Sequence, residues 1–234
     1  MNNDIAQRLL QINQQITAYA LEADRPADSV QLLAVSKTKP VEAVIAAYQA
    51  GQREFGESYV QDALPKIQFL QDDKQYDDIV WHFIGPIQSN KTKPVAENFA
   101  WVHSVDREKI AQRLNDQRPS TLPPLNICLQ INISGEETKS GMKPTEVFDL
   151  ADKIGQLPHL KLRGLMTIAE NTEDLERVKA NFESMQQLFN ELKKRYPSVD
   201  TLSMGMTDDM PVAIACGSTM VRIGTAIFGS REYK

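Results

Sequence analysis

Apolar residues recur at steps of four and three near the start of the chain, where Ile5, Leu9, Ile12, Ile16 and Tyr19 fall on one face of a helix over 4–21. The period then changes. Leu32-Leu33-Ala34-Val35 is an unbroken aliphatic run, which reads as a strand buried on both faces, and it continues into Ser36-Lys37-Thr38-Lys39 until Pro40 stops it. Side chains alternate across a strand, so Lys37 is expected on the face of Leu33 and Val35. From Pro40 onward, short apolar runs alternate with helical periodicity. Pro40 opens a helix through Val41, Val44, Ile45 and Tyr48 that Gly51 ends. Strands follow at 53–57, 80–84, 101–103, 125–133, 160–166, 199–203 and 219–223, with helices between them at 59–70, 91–97, 107–115 and 145–154. The clearest helix has Asn171 as its cap and a stripe of Leu175, Val178, Phe182, Met185, Leu188 and Leu192, and a short one runs from Thr207-Asp208-Asp209 to Gly217.

Eight strands alternating with helices predict a parallel sheet, and the count favours a single (β/α)8 TIM-type barrel with an extra N-terminal helix. The 234 residues suit one such domain, which typically takes about 250. A proline-rich link at 119–124 is too short to separate domains, so residues 1–234 are expected to form one unit.

Composition narrows the partners. Hydrophobic residues make up 41% and charged residues 24%, with no run near the ~20 apolar residues of a membrane span. The net charge of −5 without a basic block argues against nucleic acid, although a local site for one phosphate remains open. The start Met1-Asn2-Asn3-Asp4 lacks the regions of a secretory signal, and only two cysteines occur, so a cytoplasmic protein is expected. Cys128 and Cys216 read as small buried hydrophobes without assigned chemistry.

In a barrel, Lys37 stands at the C-terminal mouth, where barrel enzymes place their chemistry, and a partly desolvated lysine can form a Schiff base with a carbonyl compound. The strand ends Ser203-Met204-Gly205-Met206 and Arg222-Ile223-Gly224-Thr225-Ala226 share that mouth. There Gly205 and Gly224 permit close backbone approach to a phosphate, and Ser203 and Thr225 add hydroxyl donors. Arg222 precedes the glycine, so it can point into the barrel beside a bound ring, and next to a pyridine nitrogen it would leave that nitrogen unprotonated. His82 and His103 read as hydrogen-bonded residues filling the barrel rather than metal ligands, His159 carries no signal, and Lys139 reads as a solvated loop charge able to meet an anion.

Seven segments, spread in order over nearly the whole chain, together resemble the pyridoxal 5′-phosphate (PLP) homeostasis proteins, barrel-only relatives of the alanine racemases. They are 33–40 (LAVSKTKP), 55–61 (FGESYVQ), 81–91 (WHFIGPIQSNK), 139–141 (KSG), 163–166 (RGLM), 203–206 (SMGM) and 221–229 (VRIGTAIFG). The resemblance implies a barrel like the N-terminal domain of alanine racemase, fold type III among PLP proteins. It further implies that Lys37 forms the aldimine, that Ser203, Gly224 and Thr225 surround the phosphate, and that Arg222 faces the pyridine nitrogen. One position departs: the family usually reads Gly-Glu-Asn-Tyr where this chain has Gly56-Glu57-Ser58-Tyr59, which puts a ligand contact of that asparagine in question.

Two functions compete. A racemase of this type takes its second base from a C-terminal domain of the partner subunit, and the chain ends at Lys234, a few residues after the eighth strand. The expectation is therefore a non-catalytic, monomeric protein that binds PLP and takes part in vitamin B6 homeostasis, with PLP-dependent apoenzymes as partners. A weak amino-acid racemase is the alternative. A Schiff-base aldolase, using Lys37 directly on a sugar phosphate, is a third class.

Overall fold

The computed structural model describes residues 2–230. Helix α1 (Asn2–Glu22) precedes β1 (Gln31–Val35), α2 (Val41–Gln49), β2 (Glu54–Glu57), α3 (Val60–Gln71) and β3 (Val80–Phe83). Next come α4 (Thr92–Asn98), β4 (Trp101–Val105), α5 (Glu108–Gln117), β5 (Leu125–Gln130), α6 (Val147–Ile154) and β6 (Leu160–Met166). The chain continues through α7 (Leu175–Arg195), β7 (Thr201–Ser203), α8 (Met210–Ala215), β8 (Met220–Ile223) and the short α9 (Thr225–Phe228). The eight strands pair in parallel in sequence order and close, β8 returning to β1, so the expected barrel and its added N-terminal helix are present. No helix of the described residues is long and apolar enough to cross a membrane.

The main core lies between the strands and the surrounding helices. Alternate strand residues Leu32, Ala34, Phe55, Trp81, Phe83 and Val102 enter it, and α1 adds Ile5, Leu9, Ile12 and Ile16. Inside the barrel the filling is different: Trp101, Cys128 and Met166 form a small apolar cluster of their own beneath polar side chains.

Several boundaries differ from the pattern-based reading. The cap of α7 is Asp174, whose carboxylate accepts from the Arg177 N–H, and not Asn171; the proposed stripe residue Leu175 is 61% exposed, while Phe189 is buried in its stead. Strand β5 stops at Gln130 because Ile131 leaves it to bridge Met142. Strand β1 stops at Val35, so Lys37 lies in the following turn, outside the strand.

A bulge in β6 opposes Ile127 to Leu162 and Cys128 to Gly164, leaving Arg163 as the extra residue. A Cβ on Gly164 would sit 1.6 Å from the Thr201 carbonyl oxygen, a backbone atom of β7. Gly164→Ala is expected to force these strands apart and cost about 4 kcal/mol or more, measured as a urea-unfolding difference. A loss under about 1 kcal/mol would show that the strands separate freely.

Candidate functional site

The site begins with the turn after β1. The Ser36 N–H still extends the ladder to the Gly56 carbonyl at 3.0 Å, and Lys39 N–H then returns to the Ser36 carbonyl at 3.0 Å. Between them Thr38 takes φ +64, a left-handed value costly for a β-branched residue, and its N–H donates to Asp62 Oδ2 at 2.8 Å. Lys66 of α3 secures the same turn from below. Its Nζ donates to the carbonyls of Ser36 and Lys39, each at 3.1 Å, to Glu57 Oε1 at 2.7 Å and to Asp62 Oδ2 at 3.1 Å. Glu57 is wholly buried, also accepts from Ser36 Oγ at 2.6 Å, and keeps Oε2 without a hydrogen-bond partner. Burial pushes its carboxyl above the usual range, only partly offset by Lys66 and Ser36. Lys37 is half-buried within a turn that α3 holds in one conformation.

Register brings the other end of the sheet beside it. Leu33 pairs with Arg222 and Ala34 with Ile223. One step on, a Cβ at Gly224 would stand 3.2 Å from the Val35 carbonyl oxygen, so glycine lets the end of β8 lie against the end of β1. Gly224 then caps α9, whose first N–H groups have no acceptor within the helix. Gly205 takes φ +102 after β7, and a Cβ there would be 2.6 Å from that of Ala213. Its carbonyl accepts from Arg222 N–H at 2.9 Å, tying the ends of β7 and β8 together. Lys39 Nζ reaches the Ser230 carbonyl at 2.7 Å, joining the Lys37 turn to the segment after α9. Four of the predicted residues, Lys37, Arg222, Gly224 and Thr225, thus lie on neighbouring segments of one rim.

Arg222 is 5% exposed and held on two sides, donating to Ser203 Oγ at 2.9 Å and to the Thr167 carbonyl at 3.0 Å. Burial lowers its pKa to about 10, so it stays charged at neutral pH. Two of its five donors are engaged, which fixes the guanidinium and leaves it donors to spare. Ser203, predicted beside a phosphate, has its Oγ engaged in the barrel interior by Arg222 and by His103 Nδ1 at 2.9 Å. His103 Nε2 meets His82 Nδ1 at 2.8 Å, and His82 Nε2 meets Glu54 Oε2. The two histidines are the hydrogen-bonded barrel fillers their strand positions predict, and burial holds both below the usual histidine range.

Lys139 is less solvated than expected. It is 25% exposed, paired with Glu136 at 2.7 Å and bonded to the Ala169 carbonyl at 3.0 Å, because the loop folds back over a cavity of about 250 Å³ lined also by Ile84, Gln130 and Asn132. The thiols of Cys128 and Cys216 are free and buried, and burial pushes Cys128 up to about 12. Ser58 has a backbone role: a Cβ at Gly85 would fall 2.2 Å from the Ser58 carbonyl oxygen, so the β3 loop packs directly on that residue.

Sequence reading missed Glu54 and Lys66. The signal for Lys66 is its place on the buried stripe Val60, Ala63, Ile67 and Leu70 of α3. For Glu54 it is the alternation with Phe55, which sends one residue to the helices and the other into the barrel.

A parallel barrel with a lysine in the turn after β1 and a buried arginine on β8 defines a class, and residues 11–232 match the family described as alanine racemase, N-terminal domain. The barrel of alanine racemase from Corynebacterium glutamicum superimposes with a TM-score of 0.72 at 13% identity, over 98% of this chain and 62% of that one. Nearer relatives narrow the class. The pyridoxal phosphate homeostasis protein of Pasteurella multocida is 57% identical over 98% of both chains, and that of Escherichia coli (strain K12) is 53% identical over 99% of this chain and 98% of its own. The chain belongs to the pyridoxal phosphate homeostasis protein family. Among solved structures, PipY of Synechococcus elongatus with PLP bound matches at 36% identity and a TM-score of 0.80, over 96% of this chain and 100% of that one.

Proposed function

We propose that this protein binds PLP reversibly through Lys37 and acts in intracellular PLP homeostasis as a non-catalytic carrier or buffer, a cytoplasmic monomer that supplies PLP-dependent apoenzymes. The observation that carries this reading is the pairing of β1 with β8, which sets the Lys37 turn beside Arg222, Gly224 and Thr225. The names of the relatives and the PLP-bound neighbour support it.

The residues present fit the group. A half-buried amine, a glycine-built rim at Gly224 and a fixed buried cation at Arg222 match an aldehyde, a phosphate and a ring nitrogen respectively. PLP supplies an electrophilic aldehyde carbon to which a primary amine adds, and a ring that draws electrons from that carbon. Lys37 is the amine. Gly224 and Thr225 offer backbone and hydroxyl donors to the phosphate, and Ser203 contributes by holding Arg222. Because a guanidinium keeps its proton, Arg222 beside the ring nitrogen would leave that nitrogen unprotonated and so weaken the ring as an electron sink. His82 and His103 are spent on each other, Ser203 and Glu54, and do not serve as bases toward a substrate.

The purified protein incubated with PLP is expected to be yellow, and borohydride reduction followed by peptide mass analysis is expected to place a single pyridoxyl group on Lys37. A label on another lysine in its stead would overturn the assignment. Incubation with L-alanine in deuterated water separates carrier from enzyme: rapid α-proton exchange with turnover would refute the carrier reading.

A further inference from the structure

The barrel interior holds a chain of polar side chains in which binding PLP gives a task only to Arg222 and, through it, to Ser203. It runs from Glu54 at the start of β2, through His82 on β3, His103 on β4 and Ser203 on β7, to Arg222 on β8. His82, His103 and Ser203 are fully buried, and the Glu54 side chain, 21% exposed, is the only link among these five above a few per cent. Trp101 stacks on His82 with its plane 13° away, and Arg163 lies 4.4 Å over Trp101.

The direction of every bond follows from the two ends. A carboxylate only accepts, so His82 Nε2 carries the proton that Glu54 receives, and a neutral imidazole then has an accepting Nδ1. His103 Nε2 must therefore donate to His82, which makes His103 Nδ1 an acceptor for the Ser203 hydroxyl. From the other end, a guanidinium only donates, so Ser203 Oγ accepts from Arg222 and its own proton is available for His103. The carboxylate at the tail dictates one order, Arg222 to Ser203 to His103 to His82 to Glu54, and the guanidinium at the head is compatible with it, so a cation stands at the head and an anion at the tail.

We propose that Glu54, through this one-directional chain, is a positioning residue for Arg222 at the coenzyme site, an inference that rests on the PLP reading above for its effect on the ligand. Turning either histidine over would present two donors or two acceptors to each other somewhere along the chain, so the carboxylate at the tail fixes the serine proton away from the guanidinium at the head. Aligned bonds polarise one another, and the anion offsets the cost of keeping Arg222 charged without water. The other charged or titratable groups acting on the chain are Asp209 and Cys128 at Arg222 and Arg163 at His82.

The chain has three histidines, so their ring nitrogens are separable by ¹⁵N NMR. In protein free of PLP, His82 and His103 are expected as Nε2–H tautomers, while His159, whose Nδ1 faces the Asn115 carbonyl at 3.1 Å, serves as the Nδ1–H reference. An Nδ1–H signal from His82 or His103 would overturn the chain whatever the protein binds. Glu54→Leu removes the acceptor and is expected to give mixed tautomers at both histidines and to lower the pH midpoint of the bound coenzyme's visible band by roughly one unit. Glu54→Gln, whose amide oxygen still accepts, is expected to restore the tautomers. Unchanged tautomers and an unchanged midpoint in Glu54→Leu would also refute the proposal. A protein that shows the tautomers but takes up no PLP would refute the PLP reading and leave the chain standing.

Discussion

Lys66→Met is expected to destabilise the protein by roughly 3–5 kcal/mol, the usual cost of breaking a buried ion pair from one side. The wild-type ammonium is 6% exposed and meets two carboxylates and two carbonyls within 3.1 Å. Methionine fills a similar volume, so the loss is electrostatic, arising from a wholly buried Glu57 deprived of its cation and from two turn carbonyls deprived of a donor. Adding Glu57→Leu to Lys66→Met removes the stranded charge and is expected to recover most of the stability, since buried ion pairs exchanged for apolar residues are often neutral. The turn should not recover with it. The double variant still lacks the donor that fastens Ser36 and Lys39, so PLP attachment at Lys37 should remain impaired although the fold is restored.

The same pair carries a pH signature. Burial raises the Glu57 pKa in the folded chain, so its contribution to stability is full below the unfolded carboxylate range and is lost as pH rises through the folded value. Lys66 limits that rise, and without it the folded value climbs further. The stability difference between Lys66→Met and wild type should therefore be largest at neutral pH and shrink on acidification. Urea titrations between about pH 5 and pH 8 measure this, and a difference that stays flat across the range would show that Glu57 does not feel the loss.

Much of the barrel was legible because its signals are local and repeated. The two-sided burial of Leu32 to Val35 and the Pro40 stop are properties of one short segment, and apolar runs alternating with helical periodicity recur around the ring. The ends of elements were less legible. Asn171 and Asp174 are both acceptable caps in sequence, and only the hydrogen bond to Arg177 N–H chooses between them. Lys37 is legible as the lysine at the end of a buried strand, yet its departure from that strand depends on Asp62 and Lys66, residues of α3 that no pattern within β1 contains. The interior chain was read only as separate pieces. His82 and His103 were recognised as fillers, but their order relative to Ser203 and Glu54 requires β4 and β7, three strands apart in sequence, to meet across the barrel, a consequence of closure.

Lys37→Ala is expected to abolish the visible coenzyme band and the borohydride-stable label, and to weaken PLP binding roughly 100-fold by leaving only the phosphate and ring contacts. Lys37 is half-buried in a turn whose main-chain bonds come from Ser36, Thr38, Lys39 and Lys66, and alanine leaves all of them intact. Ligand-induced stabilisation then reports the lost tether directly. At PLP equal to about 100 times the wild-type Kd, wild type gains about 2.7 kcal/mol while a protein binding 100-fold more weakly gains about 0.4. For a chain of this size, 1 kcal/mol moves Tm by about 2–4 °C, so the wild-type shift should be about 5–10 °C and that of Lys37→Ala about 1 °C. A Lys37→Ala protein that keeps the full band and the full shift would place the tether on another amine. One that loses the band but keeps the shift would show that the phosphate cradle and Arg222 hold PLP without it, reducing Lys37 from anchor to latch.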